Sequence, residues 1–189
     1  MLEQILQYDK DLFLFLNGLG TETWDGFWMF MTTTRNSAPL YLLLLYLTYK
    51  HLGWKNTAII LISVALLITS TDQLANFFKY GVGRLRPCHD PEVSSMMRLV
   101  KSYCGGQYGY FSAHAANSFG PAVFFIVLFH QRVKYISWVL LFWACVVAYS
   151  RVYIGVHYPL DVITGAFIGS LFGWLFAKLA IFAFQKIGT

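Results

Sequence analysis

The chain has 189 residues, of which 57% are hydrophobic, 19% aromatic and only 12% charged, with a mean hydropathy of +0.54. This balance excludes an ordinary soluble domain and indicates an integral membrane protein forming one domain over residues 1–189, because apolar helices must pack together to hide any polar group they carry. The formal charge of +5 is not gathered into a basic run with interleaved aromatics, so membrane flanks and an anion site explain it better than nucleic acid does.

From Leu2 to Asn17, Leu2, Ile5, Leu6, Phe13 and Leu16 fall at roughly helical spacing, but charges interrupt them and the run is too short to cross a bilayer. The pattern predicts an N-terminal interfacial helix. Glu3, Asp9, Lys10 and Asp11, without a basic leading segment, predict no cleavable signal peptide. Phe27 to Tyr49 is long enough to span, although Arg35, Asn36 and Pro39 interrupt it and predict a bent or solvated outer part. Asn56 to Phe78 is a clear span by the usual requirement of about 20 residues, with Asp72, Gln73 and Asn76 near its far end. The segment from Lys79 to Tyr110 is polar and rich in glycine, so it reads as a long functional connection. Apolar runs resume at Ala115 to Phe129, Tyr135 to Tyr149 and Pro159 to Phe184. The fold class is therefore all-α, a polytopic helical bundle with five transmembrane helices, or six.

Polar clusters stand at the ends of these runs: KYGVGRLRP from Lys79 to Pro87, FSAH from Phe111 to His114, and SRVYIGVHYPLD from Ser150 to Asp161. Alternation of the spans puts all of them on one face. Lys50, Lys55, Arg132, Lys134, Lys178 and Lys186 fall on the other, which the positive-inside rule makes cytoplasmic. The clusters then face the periplasm of a bacterial inner membrane.

Lys79, Arg86 and Arg151 offer the cationic donors that suit phosphate oxygens. FSAH opens a helix, so the Ser112 hydroxyl and the amides of Ala113 and His114 can face an anion, although a serine there also serves as a simple cap. Pro159 suits the first helical turn, which leaves His157 just outside it and Asp161 within it. A carboxylate beside an imidazole fixes its tautomer and makes its other nitrogen a better nucleophile, and His114 is placed to act as an acid. Cys145 lies in an apolar run and reads as a packing residue, whereas Cys88 and Cys104 share the polar connection. In an oxidising compartment those two could form a disulfide worth about 3 kcal/mol. No metal-binding spacing is present in the sequence, and no cofactor is implied.

In order and spacing these clusters resemble the signature of the type 2 phosphatidic acid phosphatase superfamily of membrane lipid phosphate phosphatases, whose phosphate site also resembles that of vanadium haloperoxidases. Lys79, six intervening residues and Arg86-Pro87 resemble the first motif, Ser112 and His114 the second, and Ser150-Arg151, His157 and Asp161 the third. The second motif departs from the family's Pro-Ser-Gly-His, with Phe111 for proline and Ala113 for glycine. The resemblance implies attack by His157 on phosphorus to give a phosphohistidine, protonation of the leaving oxygen by His114, orientation of His157 by Asp161, and a phosphate cradle of Lys79, Arg86, Ser112, the Ala113 amide and Arg151. The implied substrate is a lipid phosphate or diphosphate drawn from the surrounding membrane lipids, with undecaprenyl diphosphate first and lipid A phosphate, phosphatidylglycerol phosphate or phosphatidic acid as alternatives. The competing class is a lipid-phosphate binder or transporter that keeps the fold without turnover.

Overall fold

The computed structural model of the chain describes residues 1–187. It is all-helical among them, the β-type pairing being an isolated bridge between Leu85 and Tyr108. Six helices follow in order: α1 (Leu2–Gly18), α2 (Glu22–Thr32), α3 (Ala38–Val82), α4 (Ala113–Phe129), α5 (Ile136–Tyr153) and α6 (Pro159–Ile187).

The span expected from Phe27 to Tyr49 is divided. Thr33 is extended and its hydroxyl bonds the Met29 carbonyl, while the Asn36 amide bonds the Phe30 carbonyl, so the open end of α2 is satisfied by side chains. Pro39 then sits in the first turn of α3, where its missing N–H costs no helical bond. α3 is interrupted in turn at Gly53, whose φ of 75° no β-carbon would accommodate cheaply. Its two halves run in opposite directions along α4. Tyr41 shares a cavity with His114, and His51 packs on Phe129 with ring centroids 6.1 Å apart. On the return, Leu67 meets Gly120 and Thr71 bonds Asn117. Thr34–Val82, Ile136–Tyr153 and Pro159–Lys186 are long and apolar enough to cross a membrane, and Ala113–Phe129 is a shorter apolar helix.

α4 and α6 form the centre of the bundle. Gly165, Gly169 and Gly173 recur every fourth residue on one face of α6, against Ser112, Ala116 and Gly120 at the same spacing on α4. A methyl group at Gly169 would overlap the Ala116 carbonyl oxygen and come within 2.7 Å of its Cα, and one at Gly173 would lie 3.0 Å from the Gly120 carbonyl carbon. The helices therefore meet backbone to backbone. Leu67, Phe124, Phe129, Leu140 and Ala177 fill the core away from this contact.

α1 forms over the residues expected to be helical and presents its polar side to the protein. Asp9, Phe13 and Asn17, at i, i+4 and i+8, are buried, whereas Leu2, Ile5, Tyr8, Leu12 and Phe15 are exposed. Asn17 satisfies its amide on the carbonyls of Arg98, Val152 and Tyr153, and Phe13 stands edge-on to Tyr158 at 5.3 Å. Cys145 faces outward rather than packing in the core as the apolar run suggested, because it falls on the outer side of α5.

Gly169→Ala is expected to lower the apparent Tm of the detergent-solubilised protein by several degrees, since overpacking a close contact costs about 1–3 kcal/mol. Gly26→Ala, at a helical position with nothing within 4 Å of the added carbon, should leave Tm unchanged or slightly raised. Equal Tm values for the two variants would contradict this packing account.

Candidate active site

The end of α3 is set by Gly83 in the left-handed region, its N–H bonding the Lys79 carbonyl at 3.1 Å. Lys79 thus lies in the last helical turn rather than in the connection. Beyond it the chain becomes extended and pairs with the returning loop, Arg86 N–H donating to Gln107 O at 3.0 Å and Gly109 N–H to Arg84 O at 2.9 Å. Alternation in an extended segment puts Arg84 and Arg86 on one side and Leu85 on the other. Both guanidinium groups reach the segment leading into α6.

That segment is closed by its own carboxylates. Tyr158 caps α6, and Asp161, three residues on, reaches back with Oδ2 to the Tyr158 N–H at 3.1 Å. The same Oδ2 is 3.5 Å from His157 Nδ1, slightly beyond hydrogen-bond reach. Asp161 Oδ1 accepts from Arg84 at 2.8 Å. On its other edge, His157 Nε2 stands 3.2 Å from Arg86 Nη1, which also donates to the Val156 carbonyl at 3.1 Å. A guanidinium can only donate, so Nε2 carries the lone pair and the proton belongs on Nδ1, facing Asp161. Gly109 leaves room for this arrangement: a β-carbon there would fall 3.3 Å from Asp161 Oδ2 and 3.0 Å from the Arg86 stem. His157 is buried at 2% exposure. Burial, then the positive charges of Arg86, Arg151 and Lys79, push its pKa well below the ordinary 6.5.

Arg151, in the last turn of α5, is also buried and donates from Nη1 to the Thr32 hydroxyl at 2.5 Å. The Nε atoms of Arg86 and Arg151 are buried without a partner. Ser150, next to Arg151, turns its hydroxyl back to the Val147 carbonyl at 2.6 Å. The Ser112 hydroxyl accepts from Ala115 N–H at 3.4 Å, so it caps α4, and the Ser112 N–H donates to the Asp161 carbonyl at 2.9 Å. This bond joins FSAH to the His157 segment. Ala113 is the first residue of α4 and is not among the positive-φ positions, so alanine takes the place of glycine without strain. Phe111 is fully buried beside Ala75, Ala116 and Phe78. His114 lines a cavity of about 90 Å³ together with Thr32, Tyr41, Asn117 and Trp143.

The structure brings the motif residues to one end of the bundle and adds partners that sequence reasoning did not single out: Asp9, Thr32, Arg84 and Gly109. Asp72 is turned to Asn117, its Oδ1 accepting at 2.7 Å, and Arg35 is exposed. The sulfur atoms of Cys88 and Cys104 are in contact, with Cα atoms 6.1 Å apart, inside the range a disulfide spans. With His89 they form the group of close potential metal ligands found among the described residues, their ligand atoms lying within 4.8 Å of one another.

Comparison with known proteins identifies the family. Residues 57–184 match the model of the PAP2 superfamily. The chain is 40% identical over 183 residues to the lipid A 4'-phosphatase of Bacteroides thetaiotaomicron, covering 95% of this chain and 80% of the relative. It is 29% identical over 181 residues to the undecaprenyl-diphosphatase of Sulfolobus acidocaldarius, covering 94% and 81%. Among solved structures, the crystal structure of Aquifex aeolicus LpxE superposes with a TM-score of 0.66 at 25% identity, over 89% of this chain and 93% of that one. With the match extending over most of the chain, and the motif residues meeting at one end of an apolar bundle, the protein belongs to the PAP2 superfamily of lipid phosphatases.

Proposed function

We propose that this protein hydrolyses the phosphate monoester of a membrane glycolipid of the lipid A class, through a phosphohistidine on His157. The observation that carries the chemistry is the unprotonated Nε2 of His157, met by Arg86 Nη1 at 3.2 Å and buried beside two arginines whose Nε donors the protein leaves unpaired. Nε2 attacks phosphorus in line. The bond to the lipid oxygen breaks, and that oxygen takes a proton from His114. Asp161 faces the Nδ1 side and stabilises the positive ring that results. Lys79, Arg86, Arg151, the Ser112 hydroxyl and the Ala113 amide hold the remaining phosphate oxygens, whose charge is spread in the transition state. Water then cleaves the nitrogen–phosphorus bond and gives its proton to His114, releasing inorganic phosphate.

The choice of lipid rests on similarity. The named lipid A phosphatase matches at 40% identity and the undecaprenyl-diphosphatase at 29%, which reverses the order drawn from the motifs alone. Undecaprenyl diphosphate stays as the second reading because that match also extends over 94% of the chain. A second cavity shares Met31, Ser37 and Trp143 with the one at His114 and continues to Phe30 and Leu40. It supports a lateral path for the lipid between α2 and α5.

The reading includes five membrane crossings, two from the halves of α3 and one each from α4, α5 and α6, with α1 lying at the interface on its exposed apolar side. It puts the site at the periplasmic face of a bacterial inner membrane. Lys50, Lys55, Arg132 and Lys134, in the turns at the far end of the bundle, support that orientation. In that oxidising compartment Cys88 and Cys104 form a disulfide.

Purified protein should release phosphate from a bisphosphorylated lipid A in the presence of a chelator, with a higher kcat/KM than on undecaprenyl diphosphate. His157→Ala should abolish release, and His114→Ala should lower kcat about 10²–10⁴-fold. Unchanged turnover in His157→Ala would sink the mechanism, and a preference for the diphosphate would select the second reading.

The imidazole of His157, identified in a histidine-labelled NMR spectrum by its loss in His157→Gln, should stay neutral at pH 6.5 and gain its proton only in more acidic solution, because its folded pKa is depressed. Half-protonation at or above that pH would contradict the electrostatic account. For the cysteines, thiol alkylation of the unfolded, unreduced protein should label Cys145 alone; labelling of all three excludes the bridge.

A further inference from the structure

The buried charges of α1 have no part in the reaction as written, yet one of them reaches the nucleophile's own support. Asp9 is 4% exposed. Its Oδ1 accepts the Leu160 N–H at 2.9 Å, one of the N–H groups that the start of α6 leaves without a helical partner. Its Oδ2 accepts from Arg84 Nη2 at 2.6 Å, and the other terminal nitrogen of the same guanidinium holds Asp161 Oδ1 at 2.8 Å. Asp161 Oδ2 in turn bonds the Tyr158 N–H and faces His157 Nδ1. The result is a closed ring of interactions: two carboxylates on two N–H groups of one helix start, tied together by one arginine. Arg84 also lies over the Tyr158 ring, 4.3 Å from its centroid, which holds the guanidinium plane from the remaining side.

We infer that Asp9 is a positioning residue for the phosphatase reaction, acting through Arg84 to fix the rotamer and charge of Asp161 and hence the orientation of His157. This rests on the reading of His157 as nucleophile.

Two physical consequences follow from the ring. First, Asp161 has one oxygen for His157 only while the other is held, and a forked arginine is held in one plane only if both ends are engaged. Second, the site already concentrates Lys79, Arg86 and Arg151 beside His157. With Arg84 paired to Asp161 alone, the charge of that carboxylate would be spent on the arginine and would not offset the cationic imidazole that forms when His157 takes the phosphoryl group. A second carboxylate, Asp9, neutralises Arg84 and leaves the Asp161 charge for the imidazole. The role belongs to α1 because the helix is docked independently of Asp9, by Asn17 on the Arg98, Val152 and Tyr153 carbonyls and by Lys10 on Asp90 and Glu92.

The test uses the full-length protein in detergent with the lipid phosphate that the wild type turns over. Asp9→Asn keeps one oxygen for Leu160 N–H but loses the charge and opposes the Arg84 donors. It should lower kcat about 10- to 100-fold, the scale known for outer partners that orient metal-binding histidines, with KM within threefold and Tm within a few degrees. Lys10→Gln, which weakens docking of the same helix without touching the ring, should keep wild-type kcat. In an Arg84→Gln background the Asp9→Asn effect should vanish, because the connection is already broken.

A wild-type kcat in Asp9→Asn, equal losses in Asp9→Asn and Lys10→Gln, or multiplied losses in the double variant would overturn the inference and leave His157 chemistry standing. Should Asp9→Asn not fold, Arg84→Gln alone decides: reduced kcat at unchanged KM supports the ring, and undiminished kcat refutes it. A wild type without phosphatase activity overturns the underlying reading and the positioning role together.

Discussion

The approach of two backbones, α4 against α6, is the constraint on which the site depends. In a bilayer the apolar faces of helices gain little by leaving lipid, so close packing of small residues must hold them together. Gly165, Gly169 and Gly173 let the α4 carbonyls sit where β-carbons would otherwise be. At the site end this contact ends in the bond from Ser112 N–H to the Asp161 carbonyl. The capping serine of one helix is thereby fastened to the first turn of the other. A separation larger by the width of one methyl group would move His114 away from His157. The same stripe that stabilises the bundle therefore also sets how the ends of α4 and α6 that carry His114 and His157 sit against each other.

Much of this was legible in the sequence because the chemistry is local. Lys79, Arg86, Ser112, His114, Arg151, His157 and Asp161 stand at the ends of apolar runs, where a polar residue without a purpose is costly. Pro159 and Asp161 read correctly as the first turn of a helix, and the structure shows why in the bond from Asp161 to Tyr158 N–H. The glycine repeat on α6 was equally visible as small residues at every fourth position, a signal that spacing alone could have raised.

What escaped were pairings between distant segments. Asp9 meets Arg84 across 75 residues and Thr32 meets Arg151 across 119, and no local pattern announces either. Asp9 reads only as an interruption in the apolar stripe of an interfacial helix, because that pattern does not say what the polar side meets. In the structure the apolar stripe faces outward and the polar line of Asp9 and Asn17 faces in. The first span reads as bent or solvated around Arg35, Asn36 and Pro39, and the structure goes further by dividing it there: Thr33, Asn36 and Pro39 supply a complete set of end signals, and side chains that satisfy open carbonyls outweigh hydropathy at a helix boundary.

The arginines of the site divide by how their charges are met, and that division separates structure from chemistry. Arg84 has two carboxylates, both within 2.8 Å, and lies against the Tyr158 ring, so its charge is neutralised within the protein. Arg86 and Arg151 form no ion pair among the described residues. Their partners are neutral: the Val156 carbonyl and His157 for one, the Thr32 hydroxyl for the other. Burying a cation on neutral partners is unfavourable by several kcal/mol unless an anion completes it. A fold selected for stability alone would place a carboxylate there, as it has beside Arg84. Had it done so, His157 would lose part of the positive surroundings that act together with its burial to hold its pKa down. Under the function proposed above, stability withheld at Arg86 and Arg151 is what an anion would gain on binding, whereas Arg84 is already neutralised by Asp9 and Asp161.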